Sequence, residues 1–153
     1  DPRPVHLVVV GGRHLRRYVW RARWRGIQSR VSFVGTVGDT APYYAAADVY
    51  VHPTFYDACS LGVLEAAASG LPCVTTRVNG ASELLTDGVD GHLMDHPDDE
   101  YELIRCVRPL LCPKTRSAMG WAARAMALRH TFAHNCDQML AVYQEIGQRR
   151  RAA

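Results

Sequence analysis

Five short β-rich apolar runs alternate with helical segments along the 153-residue chain, and this alternation limits the fold more than any other feature. The runs are Val5 to Val10, Val31 to Val34, Asp48 to His52, Pro72 to Thr75 and Gly91 to Met94. A basic amphipathic segment, Arg13 to Arg25, follows the first and sets Leu15, Tyr18, Val19 and Ala22 on one helical face. Asp39 or Thr40 caps a short helix through Ala47, Ser60 caps a helix that runs to Ser69 and stops at Gly70, and Asn79 opens a short helix to Thr86. Strands separated by helices pair in parallel through right-handed crossovers. Continuous apolar runs suit strands covered on both faces. The expected fold is therefore α/β, a doubly wound parallel sheet of five strands. Ligands in such folds bind beyond the carboxyl ends of the strands, so the informative loops follow Val10, Val34, His52 and Thr75.

After Pro97 the pattern is helical only. Leu103, Ile104, Val107, Leu110 and Leu111 share helical spacing, and Pro109 kinks or ends that helix. Ser117 to His130 reads as a second helix. Thr131 caps a third, with Phe132, Cys136, Met139, Leu140, Tyr143 and Ile146 on its expected buried side. The expected organisation is one domain over residues 1–130 and a C-terminal helix, 131–153, packing back on it.

Hydrophobic residues make up 48% of the chain, with 12 Gly and 8 Pro, which excludes a disordered polymer. No apolar run has the length of a membrane span. The opening Asp1-Pro2-Arg3-Pro4 carries no signal-peptide pattern and reads as the trimmed start of a longer chain. A net charge of +3 is too mild to demand nucleic acid. Arg13, Arg16, Arg17, Arg21, Arg23, Arg25 and Arg30 nevertheless crowd one segment, and Arg149-Arg150-Arg151 ends the chain. Such segments suit anionic lipid, nucleic acid or a partner protein; the preferred reading is a solvated helix face. Trp20 and Trp24 on the basic segment read either as membrane-interface anchors or, by preference, as rings partly buried against the sheet. The 5 Cys form no C-x-x-C, as expected of free, mostly buried thiols in a reducing compartment. His130, His134 and Cys136 are too few for a zinc site, and no metal is expected. Gly11-Gly12 is not G-x-G-x-x-G, which leaves a nicotinamide site poorly supported.

The stretch from His52 to Glu65 (HPTFYDACSLGVLE) holds the most chemistry. It supplies a carboxylate in a loop, Asp57, then a helix N-terminus at Ser60, then a second carboxylate inside the helix, Glu65. The unpaired N–H groups and positive dipole end of a helix start attract phosphate. A capping-box partner of Ser60 would stand at Val63, three residues on, so simple capping does not account for Glu65. On physical grounds two readings of Glu65 stand: a ligand-facing carboxylate, or one favoured by the dipole alone. Cys59, near the helix start, is a candidate for an activated thiol. It has no base beyond His52, and a structural reading is preferred.

Asp57, seven intervening residues and Glu65, followed by Ala66-Ala67-Ala68-Ser69-Gly70-Leu71-Pro72-Cys73-Val74, resemble the E-x7-E region and E-A-x-A-x-G-x-P-V signature of glycosyltransferase family 4. Val8 to Gly12 resembles that family's strand and glycine turn, Val31 to Gly35 its V-x-F-x-G, and Tyr43 to Pro53 its Y-x-x-A-D-V-x-V-x-P run. Gly80 to Glu83 and Asp87 to Leu93 resemble its later G-x-x-E and D-G-x-x-G-x-L turns. The ordered set spans nearly the whole chain. The Tyr56-Asp57-Ala58 context resembles the branch of lipopolysaccharide core glucosyltransferases.

The resemblance implies the Rossmann-like, nucleotide-sugar-binding C-terminal half of a two-domain (GT-B) enzyme. It implies retaining transfer of a hexose from a nucleoside-diphosphate sugar, UDP-glucose by branch, to a saccharide or lipid-linked acceptor held by an N-terminal half. Asp57 and Glu65 match the catalytic carboxylates: Glu65 on the ribose hydroxyls, Asp57 near the reacting carbon. Ala58, Cys59, Ser60, Leu61 and Gly62 match the backbone that wraps sugar and diphosphate, and Thr36 and Val37 the loop under the base. No cofactor and no nucleic acid are implied; the place of work is cytoplasmic, peripheral at the inner membrane face. Three departures stand out. Asp57 is one methylene shorter than the usual Glu, Ala58 and Ser60 stand where Gly is frequent, and no R-x4-K pair precedes Val5. A degenerate nucleotide-binding homologue without activity, and a nucleic-acid or membrane-surface binder built on the Arg-rich helix, are the competing functions.

Overall fold

The computed structural model describes residues 5–12 and 14–152. Arg13, the expected start of the basic helix, and Asp1 to Pro4 lie outside the described residues. The chain divides into two compact units, residues 1–43 and 44–153, rather than at the expected boundary after residue 130. The short helix α2 (Ala41–Ala46) joins them in sequence, its start capped by Asp39, whose Oδ1 accepts from the Ala41 N–H at 2.9 Å.

In the first unit β1 (Leu7–Val10) and β2 (Val31–Gly35) pair in parallel, Leu7 opposite Val31 and Val9 opposite Phe33. The register slips after Val9, so that Val10 faces Gly35, and the Gly11 N–H donates to the Gly35 carbonyl at 2.6 Å. Gly11 and Gly12 turn the chain out of β1 with φ of 90° and 88°, a conformation that favours glycine. The helix α1 (Arg16–Trp24) follows and buries only Ala22. Trp20 and Trp24 are 68% and 74% exposed, which overturns the preferred reading of partial burial. The inward face of α1 belongs to Ala22 with half-buried Leu15 and Val19, and the indoles stand on the opposite face. Val5, Leu7 and Val8 are also about half exposed.

In the second unit β3 (Tyr50–His52), β4 (Cys73–Thr76) and β5 (Gly91–Met94) form a parallel sheet in the order β3-β4-β5. Every residue of the central strand β4 is buried. Alternate side chains leave opposite faces of a strand, and the two faces of β4 meet different cores. Cys73 joins Val63, Ala66 and Ala67 of α3 (Leu61–Ala68) and Ala123 and Met126 of α5 (Pro113–Ala127). Val74 joins Met94, Cys106 of α4 (Glu100–Val107), Leu110 and Met119. Helical packing on both faces is what a doubly wound sheet requires. Pro109 ends α4 as expected, and the chain continues as a short 3-10 turn, Arg108–Leu111.

Two further expectations need correction. The five strands form two sheets, a pair and a triplet, not one. Within each of the two sheets every pairing is parallel, as a doubly wound fold requires. The second correction concerns α6 (Phe132–Ala152), expected to pack back on the domain. Every residue from Phe132 to Arg150 is exposed, the apolar stripe of Phe132, Met139, Leu140, Tyr143 and Ile146 included. Its helical spacing is real, but no element of the described residues covers that stripe.

Candidate functional site

The loop after β3 is shaped by backbone turns and by one buried side chain. Asp57 closes a tight turn, its Oδ1 accepting from the Cys59 N–H at 3.2 Å. Asp57 also bridges to Asn79 in parallel fashion, and its carbonyl accepts from the Gly80 N–H at 2.8 Å. Asn79 is fully buried. Its Oδ1 accepts from the Ser60 N–H at 3.2 Å and the Ala81 N–H at 3.1 Å, and its Nδ2 donates to Thr75 Oγ1 at 3.0 Å. One amide side chain thus ties the start of α3 to the end of β4 and caps the 3-10 turn Gly80–Leu84.

Ser60 is the N-cap of α3 by backbone conformation, but its hydroxyl makes no cap bond. Its buried side chain lies by the Tyr50 phenol instead. The Ser60 N–H at this helix start is not left unpaired, because Asn79 engages it. The N–H groups of Leu61 and Gly62 have no protein acceptor among the described residues. Gly62 packs closely: a Cβ there would stand 2.6 Å from Tyr50 Oη, and the phenol would have to shift.

Glu65 is exposed on α3 and accepts a hydrogen bond from Tyr44 Oη at 3.0 Å. The Tyr44 ring meets Tyr50 edge-on at 5.8 Å, and Tyr50 stacks on His52 at 6.0 Å. His52 Nε2 lies 3.5 Å from Asp57 Oδ2 but is shut off from solvent without a hydrogen-bond partner. A line of three rings therefore runs from the hydroxyl that holds Glu65 to the imidazole beside Asp57. Burial, with smaller contributions from Tyr44, Cys73 and Glu65, pushes the Tyr50 phenol well above its ordinary range and keeps it a neutral donor.

Of the residues singled out in the sequence, the structure brings Asp57, Ala58, Cys59, Ser60, Leu61, Gly62 and Glu65 onto one turn and helix start in the second unit. Thr36 and Val37 follow β2 in the first unit. Sequence reasoning missed Tyr44 as the partner of Glu65 and the tie from Asn79 to Ser60. Tyr44 stands in the Y-Y-A-A-A-D run that carried the resemblance, and Asn79 was legible as a cap. Two surface concavities lie elsewhere: about 340 Å³ beside Asp95, His96, Glu102 and Arg105, and about 490 Å³ along α1. Of the five cysteines two, Cys73 and Cys106, are buried where most were expected to be. Among the described residues no three His, Cys, Asp or Glu side chains group as metal ligands.

The family model described as "Glycosyl transferases group 1" matches residues 1–112. The lipopolysaccharide glucosyltransferase WaaG of Escherichia coli K12 is 32% identical over 119 residues, 78% of this chain and 32% of that protein. The crystal structure of WaaG superposes with a TM-score of 0.73 over 80% of this chain and 33% of its own. A GDP-mannose-dependent alpha-mannosyltransferase of Corynebacterium glutamicum is 28% identical over 144 residues, 93% of this chain and 34% of that protein. Sucrose-phosphate synthase from Thermosynechococcus elongatus is similar in fold, with a TM-score of 0.83 at 26% identity over 94% of this chain and 39% of its own. The chain spans about a third of the length of the curated relatives it matches. The likeness covers both units and the loop that carries Asp57 and Glu65, and the chain belongs to the group 1 glycosyl transferases.

Proposed function

We propose that this chain is the donor-binding half of a retaining glycosyltransferase that moves a hexose from a nucleoside-diphosphate sugar to a saccharide or lipid-linked acceptor. The carrying observation is the α3 start, where two N–H groups without acceptors, on Leu61 and Gly62, lie between Asp57 and the exposed Glu65 on one short stretch. A nucleoside diphosphate gains negative charge as the sugar leaves it. Fixed N–H dipoles at a helix start stabilise that charge without reorganising, so the reading needs no divalent cation. Glu65, oriented by Tyr44, takes the ribose hydroxyls, and Asp57, oriented by the Cys59 N–H, meets the donor sugar near its reacting carbon. The donor is UDP-glucose on the likeness to a lipopolysaccharide glucosyltransferase, against GDP-mannose on the likeness to a mannosyltransferase. The place of work is the cytoplasmic side of the membrane, where such acceptors are assembled.

Titration calorimetry of this chain with UDP-glucose, GDP-mannose and NAD tests the reading. Weak uridine-nucleotide binding that Glu65→Ala abolishes, without sugar transfer by the isolated chain, is expected. Preference for GDP-mannose moves the donor, equal binding by wild type and Glu65→Ala removes the ribose role, and preference for NAD removes the glycosyltransferase reading. In the longer enzyme Asp57→Ala lowers turnover; a parent enzyme that binds donor but transfers nothing is the non-catalytic homologue.

A further inference from the structure

The outward face of α1 sets two exposed indoles among arginines. At about 100° per residue, Trp20 and Trp24 each stand about 160° around the helix from Ala22, the one buried residue of α1. The indoles thus point directly away from the unit that carries them. Arg17 and Arg21 flank them on one side and Arg16 and Arg23 on the other, all four exposed. The helix has no acidic residue, and among the described residues none of its arginines forms an ion pair. The Arg17 guanidinium lies over the Tyr18 ring, 4.5 Å from its centroid, and Arg17, Tyr18, Trp20, Arg21 and Trp24 line a shallow concavity of about 490 Å³.

We propose that α1 is a membrane-docking helix, with Trp20 and Trp24 seated in the headgroup layer of an anionic phospholipid bilayer and the flanking arginines on its phosphates. An indole has an apolar body and one N–H, and settles at the boundary between water and hydrocarbon. Two indoles one turn apart, bracketed by cations, give the apolar centre and charged margins of an interfacial helix. The charge complementarity is one-sided, since anionic headgroups meet no competing carboxylate along the helix. No helix among the described residues is long and apolar enough to cross a membrane, so this contact is peripheral. Nine residues make a short anchor, and binding through α1 is reversible. Nucleic acid suits the arginines but gives the paired, outward indoles no role in a double helix.

The test is flotation of the chain with vesicles of phosphatidylcholine alone and with about one third phosphatidylglycerol, read together with tryptophan emission. The chain has 3 Trp, so Trp121→Phe leaves emission to α1 alone. Trp121 is exposed on α5, away from the site residues. The expected result is binding to the anionic vesicles only, with a blue shift of the α1 emission. Arg17→Gln with Arg21→Gln then lowers partition by about twenty-fold or more, at roughly five-fold for each arginine near an anionic surface. Trp20→Ala with Trp24→Ala abolishes partition while far-ultraviolet circular dichroism stays unchanged. Equal binding to neutral vesicles, an unshifted emission on binding, or retention by the tryptophan variant overturns the proposal. So does a blue-shifted emission without lipid in a self-associated chain, which assigns the face to a second copy. Tighter, tryptophan-independent binding to duplex DNA assigns the arginines to nucleic acid and overturns it equally. None of these readings depends on the donor chemistry.

Discussion

A Cβ placed on Gly80 would stand 1.8 Å from the carbonyl oxygen of Ala58, well inside van der Waals contact. The turn that carries Asp57 therefore rests directly on the backbone that follows β4, with the Gly80 N–H bonded to the Asp57 carbonyl at 2.8 Å. No side chain fits without moving one strand of this contact. Gly80→Ala is expected to cost about 1–3 kcal/mol, the range for forcing extra volume into a packed site. It should also displace Asp57 and Cys59 and so weaken nucleotide binding beyond the loss of stability. Denaturant unfolding and nucleotide titration of the same variant check both effects; wild-type values in both would show that the turn relaxes freely.

Asn79 acts from the other side of the same contact. It is fully buried and satisfies the Ser60 N–H, the Ala81 N–H and Thr75 Oγ1 together. Asn79→Ala strands two backbone donors in the interior at about 1–3 kcal/mol each. The expected outcome is a loss of about 2–5 kcal/mol in unfolding free energy, and a looser start of α3 seen as faster amide exchange at Ser60. Glu83→Ala, an exposed change four residues on, is the control and should stay within about 0.5 kcal/mol of wild type.

The division between what was legible and what was not follows the range of the interactions. β5 runs over Gly91–Met94 as its apolar pattern indicated, and α3 begins after Ser60 and ends before Gly70, because caps and periodicity are local. The tie from Asn79 to Ser60 spans nineteen residues of sequence and leaves no periodic trace. Periodicity set Leu15, Tyr18, Val19 and Ala22 on one face of α1, and Leu15, Val19 and Ala22 do face inward; the preferred burial of Trp20 and Trp24 failed because both stand opposite that face. In α6 periodicity misled outright, since its apolar stripe is a pattern without a covered surface. The split into a pair and a triplet of strands escaped because strand order is set by ladder pairing, not by the strands' own sequences.

Tyr44 holds Glu65 by one hydroxyl, at 3.0 Å. Tyr44→Phe keeps the ring contact with Tyr50 and removes that donor, so stability should change by less than about 1 kcal/mol while nucleotide affinity falls roughly three- to ten-fold. A double-mutant cycle with Glu65→Gln isolates the pair: the two losses should fall short of additive, since either change breaks the same bond. Additive losses in nucleotide affinity would show that Tyr44 orients nothing and that Glu65 acts alone.

Alkaline pH provides a test of the β3–β4 core that needs no ligand. Burial, followed by repulsion from Asp90, pushes the Cys73 thiol from 9.0 up to about 12, and burial also raises the Tyr50 phenol on the neighbouring strand. Both groups are neutral when protonated, so the folded chain holds its protons at a pH where the unfolded chain has lost them. The unfolded state then binds fewer protons than the native state, and stability falls as pH rises. The Cys73 contribution is complete below pH 9.0 and is lost progressively toward about 12. The slope is at most about 1.4 kcal/mol per pH unit for each group, with Tyr50 adding above its ordinary 10.0. Unfolding curves between pH 8 and 11 should therefore show a decline that Cys73→Ala flattens at its lower end and Tyr50→Phe at its upper end. Iodoacetamide at pH 8 should alkylate exposed Cys59, Cys112 and Cys136 and leave Cys73 untouched until the chain unfolds. Alkylation of Cys73 at the rate of the exposed thiols would mean that β4 opens to solvent in the native chain.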